Sequence, residues 1–478
     1  MLVVEQGTDV GGRTYDDVVR ESEPAYARMP NGCWALNGYP WTTCNVGGGT
    51  VFYGGASFRL READFTAATA FADADLPVDW PITYRALEPF YDEIEETFGI
   101  AVDAREDPTA PAGRRTSTLP AVTTSAAGAL LWSGGASLGL RPFPTPLAVA
   151  TRRYAGRLAC LSDAPCMERA CERGAKGDVV TVLLKPLARE PNFTLLQGLK
   201  AVGLQRNGDA GTVAWLQALD VRTRALHRVA AKTFVVAANA IQSAALLLRS
   251  RDDRSPQGIG NRHDMVGRGL CFKLNEFVTG YLGRDLTDGS DGTPGGLGPF
   301  STVSFTDFYC AADCPTGVGG LIYENQYAFR YAMAAGESIV RLECLLADQP
   351  ARTNRVLLAD TTDANGLPHV VIDYQAHPRD FARLEYMVAR MIEIVEACGA
   401  RWIRREPSDF QLGSCHLHGT CRAGEDPQTS VVDGSGRVHD LDNLYVVDGS
   451  TMPFPGGVNP TLTIQANALR MARRLAVD

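Results

Sequence analysis

Two residues near the C-terminal end of the chain, His416 and Asn459, have the chemistry to share one proton-transfer task. A neutral imidazole accepts a proton near ordinary pH, and a carboxamide N–H donates to an oxygen that is gaining negative charge. Between them lie Gly419-Thr420-Cys421, an apolar strand Leu444–Val447 running into Asp448-Gly449-Ser450, and the turn Gly456-Gly457-Val458. Pro460 suits the first turn of a helix reaching Leu475, whose N-terminus would place partial positive charge beside Asn459. Arg470, Arg473 and Arg474 fall in its last turns, where cations suit the opposite pole. A reacting atom could sit between a base and a positive dipole end in such a place. Read alone, His416 is equally a hydrogen-bonded core histidine beside a turn.

The elements that must position this pair are spread along the chain. Met1-Leu2-Val3-Val4-Glu5 reads as a short buried strand ending in an acid. Asn45–Gly55 is a glycine-rich run that lets backbone amides approach a phosphate or a flat ring; a sharp structural turn is the plain alternative. Leu87, Phe90, Ile94 and Phe98 make one face of an amphipathic helix whose acids are expected to face solvent. Pro108–Pro146, rich in Pro, Gly, Ser and Thr, reads as a long surface excursion, a lid or an oligomer arm. Phe193–Ala201, Val213–Val221 and Thr233–Ala238 read as strands of a meander, the last turning through Asn239 into a helix. Ser255–Pro299 is loop-rich, with Gly295-Gly296-Leu297-Gly298 near its end. Ile339–Leu346 alternates like a strand. Asp360–Gly366 is a turn cluster, and Asp380 is placed to cap a core helix stopped by Gly399.

Composition bounds the function. The chain has 478 residues, enough for two domains or one large domain with insertions, and its 45% hydrophobic content is that of a packed protein. A net charge of −9 argues against nucleic acid as a partner. The most apolar stretch, Thr233–Leu248, is broken by Asn239, Gln242 and Ser243 and cannot span a bilayer. Five lysines against 41 arginines reflect codon bias rather than function. The 12 cysteines are dispersed and follow no secretory signal, so a cytoplasmic protein is expected. Cys160, Cys166 and Cys171 lack C-x-x-C spacing and a nearby His, which favours structural thiols or a local disulfide over a metal; no metal is expected.

With these pieces in order, the chain resembles the glucose–methanol–choline (GMC) family of flavin oxidoreductases. The motifs that carry the resemblance are the strand ending in Glu5, Asn45–Gly55, Trp80–Tyr91, Gly174-Ala175-Lys176, the Ala237–Leu248 turn, Gly260-Asn261 to Gly267-Arg268, His416–Thr420, Asp448–Ser450 and Asn459–Thr461. The turn at 237–240, the cysteine-bearing run up to Lys176, and Asn459 where some relatives carry a second His resemble the bacterial branch of sugar and glycoside oxidoreductases. The resemblance implies FAD as cofactor. Glu5 would bind the adenosine ribose, and Asn45, Gly47, Gly48, Gly49 and Thr50 would line the pyrophosphate and the flavin edge. Val202 would meet the adenine through its backbone, and Ala238 lies in the turn of the same site. Asp448 would meet the ribityl chain, and Gly449, Asn459, Pro460 and Thr461 would be further cofactor-binding residues. His416 would be the catalytic base and Asn459 its partner, the hydride passing to flavin N5; His418 has no catalytic role in this alignment.

Two departures matter. Some relatives attach FAD through a His in the loop after the glycine run; Phe52 stands there, so non-covalent binding is expected. The family's first strand and G-x-G-x-x-G turn are missing, and Gly11-Gly12 comes after the acid, so a native segment upstream of Met1 is expected. The fold class is α/β (α+β overall), a Rossmann-like FAD-binding domain from residues 1–60, 174–285 and 415–478 interleaved with an antiparallel-sheet substrate domain from 61–173 and 286–414. The function expected is oxidation of a CH–OH group of a sugar, glycoside, aminosugar or related polyol, with oxygen or a quinone or dye as electron acceptor. The competing readings are a lyase with structural FAD and a truncated, non-catalytic homologue. Oligomerisation is left open.

Overall fold

Alternation along the middle of the chain becomes paired strands in the computed structural model. It describes residues 1–22, 24–28, 34–36, 42–103, 107–111, 119–163, 166–208, 211–284, 286, 299–326, 338–407 and 414–476. The N-terminal part holds β1 (Leu2–Glu5), α1 (Tyr15–Arg20), β2 (Ala25–Arg28), β3 (Trp34–Leu36), α2 (Tyr84–Phe98) and α3 (Ala126–Ser137). The middle holds α4 (Lys185–Leu187), β4 (Thr194–Gln197), β5 (Leu199–Arg206), β6 (Val213–Asp220), β7 (Leu226–Ala230), β8 (Phe234–Val236), α5 (Asn239–Arg249) and β9 (Leu274–Tyr281). Then come β10 (Ser304–Phe305), β11 (Gly320–Glu324), β12 (Ile339–Leu346), β13 (Arg355–Thr362), β14 (Pro368–Asp373), α6 (Pro378–Ala397), β15 (Trp402–Pro407), β16 (Leu444–Val446) and α7 (Thr461–Leu475).

The largest sheet is antiparallel, in the order β10-β11-β12-β9-β15. α6 packs on β9, β12, β11 and β15, and α3 packs on α6 and β12. This covers one face and leaves the other for Tyr323, Glu343 and Asn275, three polar residues brought together by the ladders. The parallel elements are smaller: β1 pairs with β4, and β8 with β16. β5-β6-β7 form a meander, and β13-β14-β2-β3 a mixed sheet. α2 packs against α7, where the Tyr91 hydroxyl meets Thr463 Oγ1 at 2.7 Å.

Several expectations need correction. Met1–Glu5 forms its strand, but half-buried, with Met1 and Leu2 exposed. The stretch Phe193–Ala201 splits at Gly198, whose φ of 73° turns β4 into β5, and β7 was not anticipated. The acids of α2 do not all face solvent. Glu95 is buried against Arg59, which donates Nε at 2.9 Å and Nη2 at 2.7 Å to its carboxylate and also reaches Asp92 at 2.6 Å. Pro108–Pro146 is not purely a surface excursion, since Ala127 and Leu131 of α3 and the following Phe143 lie in the core. Asp380 is not the cap of α6: His377 Nδ1 accepts the Arg379 N–H, while Asp380 is buried, accepts the Gln349 N–H and pairs with Arg383. Arg470 does not serve the helix pole; it is buried and donates to Gly434 O at 2.6 Å. β9, counted in the stretch 174–285, lies between β12 and β15 in the antiparallel sheet. Its polar residues hid it: Asn275 donates to Glu343 on one face and Glu276 accepts from Arg405 on the other, so no polar–apolar alternation survives. Gly295–Gly298 lies outside the described residues.

Candidate active site

His416 and Asn459 meet. Asn459 Nδ2 lies 3.3 Å from His416 Nε2, across 43 positions of sequence. The other face of the imidazole is held by Ser414, whose Oγ is 3.0 Å from Nδ1. The Ser414 hydroxyl donates to Phe272 O, which as a carbonyl can only accept. Its single proton is therefore spent, and Oγ must accept both the His416 backbone N–H at 3.2 Å and the Nδ1–H. That assigns the proton to Nδ1 and leaves the Nε2 lone pair facing Asn459. Burial, helped by the nearby positive charge of Lys273, pushes the imidazole pKa down to about 3. The His416 imidazole is therefore neutral, with a fixed tautomer.

The turn that carries Asn459 has no regular structure, so most of its backbone acceptors are met by side chains. Lys273, fully buried, points its ammonium at the carbonyls of Pro455, Gly456 and Val458, the first two at 2.6 and 2.8 Å. Burial lowers the Lys273 pKa, while the charges of Asp64 and Asp348 hold it up and favour the ammonium. The Gly457 N–H donates to the Tyr309 hydroxyl at 2.7 Å, which itself donates to Asp64. Gly456 has a φ of 64° and a Cβ there would stand 2.3 Å from Leu60, so only glycine fits. On the sheet, buried Tyr323 stands opposite Glu343, and its hydroxyl pKa is raised by burial and by the Glu343 charge. Glu343 is held by Asn275 at 3.0 Å and Asn325 at 2.8 Å.

The turns at 238 and 448 join this group. Thr420 donates to Ala240 O, and the Cys421 N–H to Ser450 O at 2.9 Å. Asp448 is buried and accepts from Ser243 Oγ, Ser450 Oγ and the Ser450 N–H. Burial raises its pKa while these donors work to lower it. The Ala238 N–H donates to Ser243 Oγ at 3.0 Å. Gly449 opens a short 3₁₀ turn, and Pro460 precedes the first residue of α7, Thr461.

The glycine run and Glu5 form a second group. Thr8 bridges Asn45, and the Val46 N–H donates to Thr8 O at 3.1 Å. Glu5 accepts the Gly7 N–H at 2.7 Å, and burial raises its pKa. Gly47 and Gly48 are left-handed, with φ of 86° and 55°, and Thr50 Oγ1 donates to Gly47 O at 2.8 Å. Lys176 Nζ ties this run to the cysteine-bearing segment through Tyr53 O at 3.0 Å, Cys166 O at 3.0 Å and Arg169 O at 2.7 Å. Phe52 packs edge-on against Tyr15 with ring centroids 5.5 Å apart. Val202 lies at the β5 bulge between Ala201 and Gly203 and lines a cleft of ≈ 520 Å³ with Arg224, Arg249 and Arg251. That cleft shares no residue with the His416–Asn459 group.

The residues present suit a flat, phosphate-bearing cofactor. Cβ atoms at Gly48 and Gly49 would meet nothing within 4 Å, so the run borders open space. Asn45 Oδ1, Asn459 Oδ1 and both ring nitrogens of His418 are buried without a hydrogen-bond partner among the described residues. Buried polar atoms left so are costly and call for a ligand or water. The 11 described cysteines are free thiols, and no cluster of metal-ligating side chains occurs among the described residues. The residues that sequence reasoning missed are Ser414, Lys273, Tyr309, Asp64, Tyr323 and Glu343. Only Ser414, two positions before His416, carried a local signal.

The family models described as GMC oxidoreductase match residues 39–275 and 350–468. The chain is 48% identical to 6'''-hydroxyparomomycin C oxidase of Streptomyces lividus over 480 residues, covering 100% of this chain and 87% of that protein. It is 47% identical to paromamine 6'-oxidase of Streptomyces fradiae, with 100% and 87% covered. Its fold matches the crystal structure of pyridoxine 4-oxidase from Mesorbium loti with a TM-score of 0.68 at 21% identity, covering 100% of this chain and 94% of that one.

Proposed function

Because the chain belongs to the GMC oxidoreductase family, we propose that it oxidises a CH–OH group of an aminosugar to the carbonyl, with His416 as base and Asn459 as its partner. Two relatives named as oxidases of paromamine and hydroxyparomomycin, each nearly half identical over the whole chain, support the substrate class. The observation that carries the mechanism is the locked tautomer of His416, with Nδ1–H held by Ser414 and the unprotonated Nε2 turned to Asn459 Nδ2. An alcohol is a poor hydride donor until its proton is leaving. His416 Nε2 takes that proton, a form of help worth ~10²–10⁴ in rate. Asn459 Nδ2 turns one N–H to the oxygen as it becomes alkoxide-like.

FAD, when bound, supplies the hydride acceptor. Asn45, Gly47, Gly48, Gly49 and Thr50 would hold it with Glu5, Val202, Ala238, Asp448, Gly449, Pro460 and Thr461. The parallel pairs β1–β4 and β8–β16, each ending in a turn that bears these residues, support a Rossmann-like binding region. Phe52, which has no nucleophilic atom, supports non-covalent binding. Free thiols support a cytoplasmic site of action. Among the described residues no helix is long and apolar enough to cross a membrane. Oxygen is the proposed electron acceptor, on the names of the two relatives.

The test is anaerobic mixing of the flavin-loaded protein with paromamine-type aminosugars, neutral glycosides and simple polyols. Aminosugars are expected to bleach the flavin fastest, and His416→Ala to keep the yellow colour but not bleach. Bleaching by simple polyols alone would refute the substrate class. An undiminished His416→Ala rate would refute the base.

A further inference from the structure

We propose that Lys273 is the residue that positions Asn459 against His416, an inference that rests on the reading of these two residues as the catalytic pair. The segment Pro453–Val458 is neither helix nor strand, yet it is buried, so each carbonyl needs a donor. Pro453 O accepts from Arg422 at 3.1 Å, Phe454 O from Trp80 Nε1 at 3.2 Å and Gly457 O from the Leu321 N–H at 3.2 Å. The other three, Pro455, Gly456 and Val458, all accept from Lys273 Nζ. An ammonium has three N–H donors and no acceptor. One turn therefore uses all of it, and a neutral amine would aim its lone pair at a carbonyl.

Two further observations give the lysine more than a filling role. Its φ is 64°, a left-handed conformation that disfavours a residue with a Cβ and that glycine takes freely. It is also fully buried, where a lysine is seldom found unless it is paired. Its own N–H and that of Phe272 are anchored on the Asp348 carboxylate at 3.0 and 2.9 Å. The Val458 carbonyl belongs to the same peptide unit as the Asn459 nitrogen, so fixing that oxygen fixes the plane from which the Asn459 side chain leaves. Phe272, the preceding residue, supplies the carbonyl that commits the Ser414 proton. One short stretch, Phe272-Lys273, thus sets both halves of the pair. The titratable groups around the ammonium are Asp64, Asp348, Cys271, His416 and His418. Its positive charge opposes a second one on His416 and so favours the unprotonated Nε2.

The test compares Lys273→Met, which keeps the apolar stem, with Lys273→Gly, which relieves the left-handed backbone. His416→Ala is measured beside them, so that a failure of the catalytic assignment shows separately. Both lysine variants are expected to keep bound flavin and a KM within about threefold of the parent, because substrate binding is not their task. The rate of flavin reduction is expected to fall ~100-fold, the scale of a small misplacement of a reacting group. The acid limb of kcat/KM is expected to move to higher pH, since a like charge near His416 is gone. A crystal structure of Lys273→Met is expected to show the Asn459 carboxamide displaced from His416. Parental rates with an unmoved acid limb would overturn the proposal. So would loss of fold in both variants, or an equal loss in kcat and KM with an unmoved acid limb, either of which marks a purely structural residue.

Discussion

Replacing Ser414 with alanine tests the tautomer of His416 without touching the imidazole. In the parent, one hydroxyl proton goes to Phe272 O, and the oxygen accepts the His416 Nδ1–H at 3.0 Å. Ser414→Ala leaves two outcomes for the ring. Nδ1–H can stay as an unsatisfied buried donor, at a cost of ~1–3 kcal/mol. Otherwise the proton moves to Nε2, which then presents a donor to Asn459 Nδ2 and to the substrate hydroxyl and is no longer a base. The competent Nδ1–H form is thereby disfavoured against the Nε2–H form by about 2 kcal/mol, which converts to a ~30-fold loss in the reductive step. The assay is anaerobic stopped-flow bleaching of the flavin band by an aminosugar, with flavin content measured on the same sample. Ser414→Thr, which keeps a hydroxyl, is expected to recover most of the rate. Bleaching within about twofold of the parent in Ser414→Ala would refute the tautomer assignment.

Further outcomes are expected. His416→Ala should lose ~10²–10⁴ in the rate of flavin reduction while retaining the cofactor, read in the same apparatus. The pKa of His416 is pushed from its ordinary value near 6.5 down to about 3, so kcat/KM should show no loss from this group as pH falls from 8 to 5. The same depression means that the unfolded chain binds this proton first. Stability should therefore fall as pH drops through the window from about 6.5 to 3, seen as a falling Tm that is shallower in His416→Ala. Arg59→Met should cost ~3–5 kcal/mol in urea unfolding, because it strands the buried carboxylate of Glu95. Acid precipitation should release the flavin into the supernatant, and a yellow pellet would show a covalent link that Phe52 does not explain.

The motif end of this site was legible, and its supports were not. His416, Asn459, Asp448 and the glycine run stood out because their residue types have special backbone or proton chemistry at short range. β12, α6 and the α5 turn were legible by periodicity. Lys273 was not: it lies in a glycine-punctuated stretch, and its partners are carbonyls 182 to 185 positions away, which carry no side-chain signature. Tyr309 and Asp64 are 245 positions apart and meet only because the connection between β10 and β11 and the segment before α2 close over the turn. β9 was missed because its buried polar residues are satisfied on both faces by other strands and by Arg405, which erases the alternation. A capping role was assigned to Asp380 by type and position, yet Arg383 and the Gln349 N–H hold it inside.

The lysines have a consequence outside catalysis. Of the five, Lys176 and Lys273 each spend the ammonium on three backbone carbonyls, and Lys200 is buried. Lys185 and Lys232 are exposed. Amine-directed acylation of the native protein should therefore label these two positions first, leaving the Asn459 turn intact. Coupling to a solid support through those amines is then compatible with activity. Slow acylation of Lys273, followed by mass spectrometry, becomes a clock for how often the Asn459 turn opens.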